Sequence, residues 1–176
     1  MSLRPLLLLS ALAAWSPSAR LSATAFNPDV HSGSDFADQM VHGHNEIRAE
    51  VGAPPVRWNR DLARQAEDWA ETNLRLGHLQ HSAPQTRQGQ GENLAAVYGG
   101  HVPAVSLLRG WASEREHYHG DPINCGDPTS ISMIGHYTQV IWRRTTEIGC
   151  GTASNLDSQV LVCRYRPPGN VCGQTP

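Results

Sequence analysis

At 176 residues the chain has the length of one ordinary domain, with room for a substantial core. Hydrophobic residues at 39% and charged residues at 17% argue against wholesale disorder. A formal net charge of -2 gives no reason to expect a nucleic-acid binder or a strongly basic membrane-surface protein.

The N-terminus reads as a secretory signal, residues 1–25. Arg4 is the positive n-region, and Leu6 to Trp15 is an apolar run too short to span a bilayer. Ala23-Thr24-Ala25 has the small-x-small form of a cleavage site, which places the cut before Phe26; an earlier cut near Ala13-Ala14 stays open. No later apolar run is long enough for a transmembrane segment, so the mature protein is expected to be secreted.

Residues 26–35 read as an N-terminal arm ending in a helix cap at Ser34 or Asp35. Phe36, Met40, His44, Ile47 and Val51 then recur at helical spacing until Gly52 and Pro54. Asn59 is an N-cap candidate for a second helix, with Leu62, Ala66, Trp69, Ala70 and Asn73 on its inner stripe and Gly77 at its end. Residues 77–101 are loop-like, interrupted by Glu92–Tyr98 (ENLAAVY). A third helix fits Pro103 to about Tyr118, with Val105, Leu108, Trp111 and Ala112 as its apolar stripe. His119–Ser132 is turn-rich. Strands are expected at Tyr137–Trp142, Glu147–Thr152 and Gln159–Tyr165, with a turn at Asn155–Ser158 between the last two. Helices first and strands late give one α+β domain.

Cys125, Cys150, Cys163 and Cys172 all lie in the last third, an even number that suggests two disulfides in a secreted chain. None forms a CxxC pair, which argues against a structural zinc site. Four polar residues stand out as chemistry. His81 precedes Ser82 in a loop, Glu92 opens ENLAAVY, Glu114 follows Trp111 by three residues on the apolar side of its helix, and His136 heads the first expected strand. A carboxylate beside a buried stripe needs a partner. Two histidines and two glutamates would satisfy one another, and they would equally suit a divalent metal such as zinc. His117-Tyr118-His119 reads as a solvated loop end rather than a ligand pair. HExxH, GxSxG, a cysteine-nucleophile pattern and a phosphate-binding glycine loop are all absent from the sequence.

The stretch GHYTQVIWRRT (Gly135–Thr145) resembles the first signature of the CAP superfamily: cysteine-rich secretory proteins, antigen 5 and pathogenesis-related class 1 proteins, which share the SCP domain. VLVCRYRPPGNV (Val160–Val171) resembles its second signature, HNEIR (His44–Arg48) its His-Asn-x-x-Arg motif, and GENLA (Gly91–Ala95) its Gly-Glu-Asn segment. The resemblance covers residues 36–176.

It implies a three-layer α-β-α sandwich around a central antiparallel sheet, with a shallow cleft holding His81, Glu92, Glu114 and His136. No cofactor is implied as required, although some relatives hold zinc or another divalent ion at this tetrad. The resemblance implies a Cys150–Cys163 disulfide. It also leaves Cys125 without its usual partner and Cys172 as an extra cysteine, which pairs those two. The plant-type pattern usually has cysteines where this chain has Leu79-Gln80 and Ile134, and it ends in Pro-Tyr where this chain ends in Pro176.

The function implied is a secreted, non-enzymatic, defence- or host-interaction protein that binds a sterol, fatty acid or other hydrophobic ligand. In sterol-binding relatives an aromatic-rich lip precedes the histidine of the first signature; here the equivalent residues are Tyr118, Ile123, Ile131, Met133 and Ile134. Three alternatives remain: a metal-dependent hydrolase or protease working through the tetrad, a precursor of a C-terminal signalling peptide, and an extracellular scaffold for a protein or membrane partner.

Overall fold

The computed structural model describes residues 28–176 apart from Gln88. The expected signal peptide and the first residues of the expected arm lie outside the described residues. In chain order the elements are α1 (Pro28–Glu50), β1 (Arg57–Trp58), α2 (Arg60–Leu76), β2 (Gly91–Tyr98), α3 (Ala104–Ser113), α4 (Pro128–Val140), β3 (Glu147–Ser154) and β4 (Ser158–Arg166). Short 3-10 turns lie at Pro84–Arg87 and Glu114–His117. α1 starts at Pro28 rather than at Ser34 or Asp35, because proline at a first helical position has the backbone angle a helix needs.

The strands run in the order β1-β3-β4-β2. β2, β4 and β3 are antiparallel neighbours, and the short β1 adds a parallel edge. β4 shows how the layers form. Val160 and Val162 pack with Ala66 and Ala70 of α2, whereas Leu161, Cys163 and Tyr165 join Met40, Leu108, Trp111, Tyr137 and Val140 from the other helices. This alternation puts α2 on one face and α1, α3 and α4 on the other, the expected three-layer sandwich.

Two glycines set how closely α2 approaches. A β-carbon on Gly149 would lie 2.2 Å from the Ala63 nitrogen, and one on Gly151 would lie 2.3 Å from the Glu67 nitrogen. Between them Cys150 points to the opposite face and bonds Cys163, its partner in the β3–β4 register. α2 itself is capped as the sequence predicts. The Asn59 side chain accepts from the amides of Asp61 (2.9 Å) and Leu62 (3.1 Å), and Gly77 closes the helix at φ 72°.

Three further expectations need correction. Tyr137–Trp142 is not a strand: Tyr137 to Val140 complete α4, and His136 lies inside that helix. β-branched and aromatic content favours a strand there, but Asp127-Pro128 starts a helix. The Asp127 carboxylate accepts from the amides of Thr129 (3.0 Å) and Ser130 (3.2 Å), and Pro128 follows it. Ile134, Tyr137, Thr138 and Ile141, spaced by three and four, are then all buried. Second, ENLAAVY is a full strand, β2, paired with β4 along its length. Third, the helix from Pro103 ends at Ser113, and Glu114–His117 tightens into a 3-10 turn.

The His-Asn-x-x-Arg motif on α1 is scaffold. Asn45 both donates to the Val56 carbonyl (3.1 Å) and accepts from its amide (2.8 Å). Arg48, fully buried, donates to the carbonyls of Pro54, Val140, Trp142 and Thr145 at 2.7–3.0 Å. One guanidinium thereby ties the end of α4 to the loop after α1.

Candidate functional site: a two-histidine cleft at the sheet edge

β2 is an edge strand, and Glu92 and Asn93 near its start line a cleft together with residues of the loop after α2 and of α4. Glu92 and Leu94 share the α2 face, while Asn93 bonds Tyr165 on the opposite face. Each layer brings one histidine to this edge. His81 comes from the loop after α2, and His136 comes from α4. Between them lies a cleft of about 620 Å³ whose lining includes His81, Glu92, Asn93, Ile131, His136 and Asn170.

Each histidine stands on one glutamate. His81 Nδ1 lies 2.7 Å from Glu92 Oε1, and His136 Nδ1 lies 2.5 Å from Glu114 Oε1. A carboxylate can only accept, so each Nδ1 carries the proton and each Nε2 is left without a protein partner among the described residues. Both glutamates accept further donors. Glu92 also accepts from the Ser82 amide (2.9 Å), the Ser82 hydroxyl (2.8 Å) and the Arg164 guanidinium (3.0 Å), its cross-strand neighbour. Burial pushes the Glu92 carboxyl up, but His81, Arg164 and Ser82 together outweigh it and hold it below the usual carboxylate range. Glu114 accepts the amides of His136 (2.9 Å) and Tyr137 (3.0 Å), so it works like an N-cap partway along α4.

The His136 ring also lies nearly parallel to Trp111, with centroids 5.8 Å apart. Behind it runs a buried polar chain that sequence reasoning missed. Asn93 donates to the His136 carbonyl (3.0 Å) and lies 3.2 Å from the Tyr165 hydroxyl. Tyr165 in turn lies 2.9 Å from His44 Nε2, whose Nδ1 is 2.7 Å from the Met40 carbonyl. That carbonyl fixes the proton on Nδ1, so Tyr165 donates to His44. Burial lowers His44 to about 4 and pushes Tyr165 far up, keeping both neutral. The signal available in the sequence was a histidine on the apolar stripe of α1.

The tetrad is thus brought together as two pairs, and no group of three or more His, Cys, Asp or Glu among the described residues is arranged to hold a metal ion. The lip residues are divided. Ile123 and Ile134 are buried with Trp142, and Tyr118 packs at 6.2 Å on Tyr137, so these three brace the loop. Ile131 lines the cleft and Met133 is exposed. Both expected disulfides form, and Cys125 of the Cys125–Cys172 bond lines the cleft as well.

The family model of the cysteine-rich secretory protein family, CAP, matches residues 41–165, more than half of the chain. The chain belongs to that family. This CAP chain is 35% identical to pathogenesis-related protein 1B of Nicotiana tabacum, over 83% of its own length and 81% of the relative's. It is 37% identical to peptidase inhibitor 16 of Bos taurus over 78% of its length, but it spans only 30% of that protein. Among solved structures, NaASP2 with Zn2+ superposes with a TM-score of 0.68 at 23% identity, covering 80% of the CAP chain and 84% of that structure. Na-ASP-1 gives a TM-score of 0.70 at 23% identity, over 80% and 40% of the two chains. These two likenesses speak for the CAP fold alone.

Proposed function

We propose that this CAP protein is a secreted, non-enzymatic protein of the pathogenesis-related kind that holds a small hydrophobic ligand, a fatty acid or sterol, in the two-histidine cleft. The observation that carries the reading is that both carboxylates of the tetrad are spent on structure. A general base needs a free lone pair aimed at its substrate; Glu92 already accepts four donors, and Glu114 accepts three and does not line the cleft. That argues against a hydrolase. What the cleft offers is concave space of ligand size, with Pro128 and Ile131 as apolar wall and two imidazoles as polar markers. Two disulfides and the sequence of the N-terminus support secretion. The C-terminal segment is bonded through Cys172 and through backbone bonds to Ile123, so release of a signalling peptide would require reduction as well as cleavage.

Apolar burial of about 25 cal/mol per Å² over so small a wall supports an affinity of about micromolar class. Binding of radiolabelled fatty acid and sterol to wild type and to Ile131→Asp/Met133→Asp tests this. Saturable wild-type binding, weakened about tenfold or more in the double variant, is expected, since that loss equals about 1.4 kcal/mol of lost contact. No binding by wild type, or equal binding by both, would leave the scaffold reading, with a protein partner, as the better one.

The donor set also fits a weakly held divalent ion. His81 and His136 would ligate it through Nε2, with Glu92 and Glu114 behind them orienting the rings. Bound there, an ion supplies Lewis-acid polarisation. Two protein ligands make a weak site, and ligation requires neutral imidazole, so affinity falls on acidification. Calorimetry with zinc on wild type and on His81→Ala/His136→Ala should show binding only to wild type. Equal binding would move the ion elsewhere, His117 and His119 being the first place to look.

A further inference from the structure

The two disulfides present themselves to solvent very differently. Cys150 and Cys163 are 2% and 0% exposed, sealed between the sheet and the helices on its far side. Cys125 and Cys172 are both exposed, and their bond crosses from the loop before α4 to the C-terminal segment. A thiolate must reach a sulfur along the S–S axis to exchange with it, so access separates the two bonds.

The exposed bond is also placed where cutting it matters. Cys125 lines the cleft with Pro128, Ile131 and Asn170. Beyond the bond, the described contacts of the C-terminal segment with the loop are few. The Ile123 amide donates to the Gln174 carbonyl and the Gly173 amide to the Ile123 carbonyl, both at 2.9 Å. On the inner side the anchors are stronger. Ile123 is buried with Trp142 and Ile134. The Asn170 side chain accepts from Thr138 Oγ1 (2.7 Å) and donates to the Gly135 carbonyl (2.8 Å). Release of the bond would therefore loosen residues 124–126 and 171–176, while Asp127 stays as the cap of α4 and the core and the tetrad stay in place.

We infer that Cys125–Cys172 is a redox-operated strap on the cleft rim, opened by small thiols of the glutathione or cysteine class. The thiolate attacks one of the two Sγ atoms, breaking the S–S bond. A mixed disulfide forms, and the other cysteine leaves as a thiolate that takes up a proton. A second small thiol then displaces the remaining cysteine, yielding a protein dithiol and one small-molecule disulfide, with two electrons supplied by two thiols. Oxidation by a small-molecule disulfide runs the sequence backwards and closes the rim. This inference rests on access and on cleft geometry, and it stands whatever ligand the cleft takes.

Native protein treated with graded reduced glutathione, blocked with N-ethylmaleimide and peptide-mapped gives the order of opening. Hydrogen exchange on the same samples gives the consequence. Cys125 and Cys172 should label at thiol concentrations about tenfold or more below those that label Cys150 and Cys163. Exchange should quicken at 123–126, where the Ile123 amide loses its Gln174 acceptor, and at 171–176, while α4, β3 and β4 stay protected. Cys125→Ser/Cys172→Ser should show the quickened exchange without thiol and no further response to it. The inference is overturned if both disulfides open together, or if Cys125 and Cys172 open with no change in exchange. It is equally overturned if the double serine variant exchanges as slowly as wild type.

Discussion

The two histidine–glutamate pairs look alike from the cleft and are built on different physics. Glu92 is a buried strand residue: its side chain is 0% exposed, and it is neutralised by an arginine that is itself 4% exposed. Glu114 sits on a 3-10 turn at 18% exposure, with no arginine paired to it among the described residues (the adjacent Arg115 pairs with Glu50), and it spends its charge on two main-chain amides of α4. The first pair is held by a desolvated ion pair, the second by a helix-capping geometry and a stacked tryptophan. Similar placement of two imidazoles thus does not imply similar robustness, and perturbations should tell the pairs apart.

The largest effect should come from Glu92→Ala, which strands Arg164 in the interior. A loss of about 3–5 kcal/mol in urea unfolding is expected, the usual result of removing one partner of a buried ion pair. Arg164 Nε already lacks a hydrogen-bond partner among the described residues, so the site has little spare capacity to adjust. Glu92→Leu/Arg164→Met should recover much of that loss. If Glu92→Ala unfolds like wild type, the ion pair is not what holds His81.

Acid should strike the other side first. His44 has its folded pKa lowered from 6.5 to about 4, so its contribution is complete above pH 6.5 and is lost as pH falls from there to about 4. Because His44 is fully buried, the loss should be on the order of 3 kcal/mol at about 1.4 kcal/mol per pKa unit. Glu92, whose carboxyl is held below its usual value of 4.5, keeps its contribution above 4.5 and loses it as pH falls from there through its lowered folded value, so its loss starts only at the acid end of the His44 window. Urea midpoints across pH should therefore slope between 6.5 and 4 in wild type and flatten in His44→Gln. A slope unchanged in His44→Gln would assign the acid sensitivity elsewhere.

Glu114→Ala should cost about 1–2 kcal/mol, the range of a lost N-cap. Amide NMR shifts should move at His136 and Tyr137 and stay put at His81 and Ser82. Movement at both pairs would mean that they are coupled through the cleft rather than independently supported.

Much of this was legible in the sequence where local signals agreed. Asn59 and Gly77 bound α2 because cap chemistry and apolar spacing coincide there, and the Asn155 turn with its flanking strands follows for the same reason. The tetrad residues stand out in the sequence as polar positions, but their grouping into one site, like the pairing of the cysteines, follows only from the four family motifs, since nine histidines allow many pairings by spacing alone. α4 was misread because Tyr137, Val140, Ile141 and Trp142 carry strand propensity while the start signal, Asp127-Pro128, lies nine and more residues earlier. β2 was hidden because its first residues are polar for reasons outside the strand: Glu92 answers Arg164 and Asn93 answers Tyr165. The lip was over-read for the opposite reason. Ile123 and Ile134 are apolar because they fill a satellite core under Trp142, and sequence cannot distinguish a buried brace from an exposed lip.

The central claim is that both glutamates are structural, holding His81 and His136 with Nδ1 protonated and Nε2 turned to the cleft. Long-range 1H–15N NMR of the imidazole rings, recorded at about pH 8 where histidines are mostly neutral, reads the tautomers directly. The account predicts that both rings are Nδ1–H tautomers, and that Glu114→Ala releases only His136 from that state. Nε2–H tautomers at either ring in wild type would contradict it, freeing a carboxylate for chemistry.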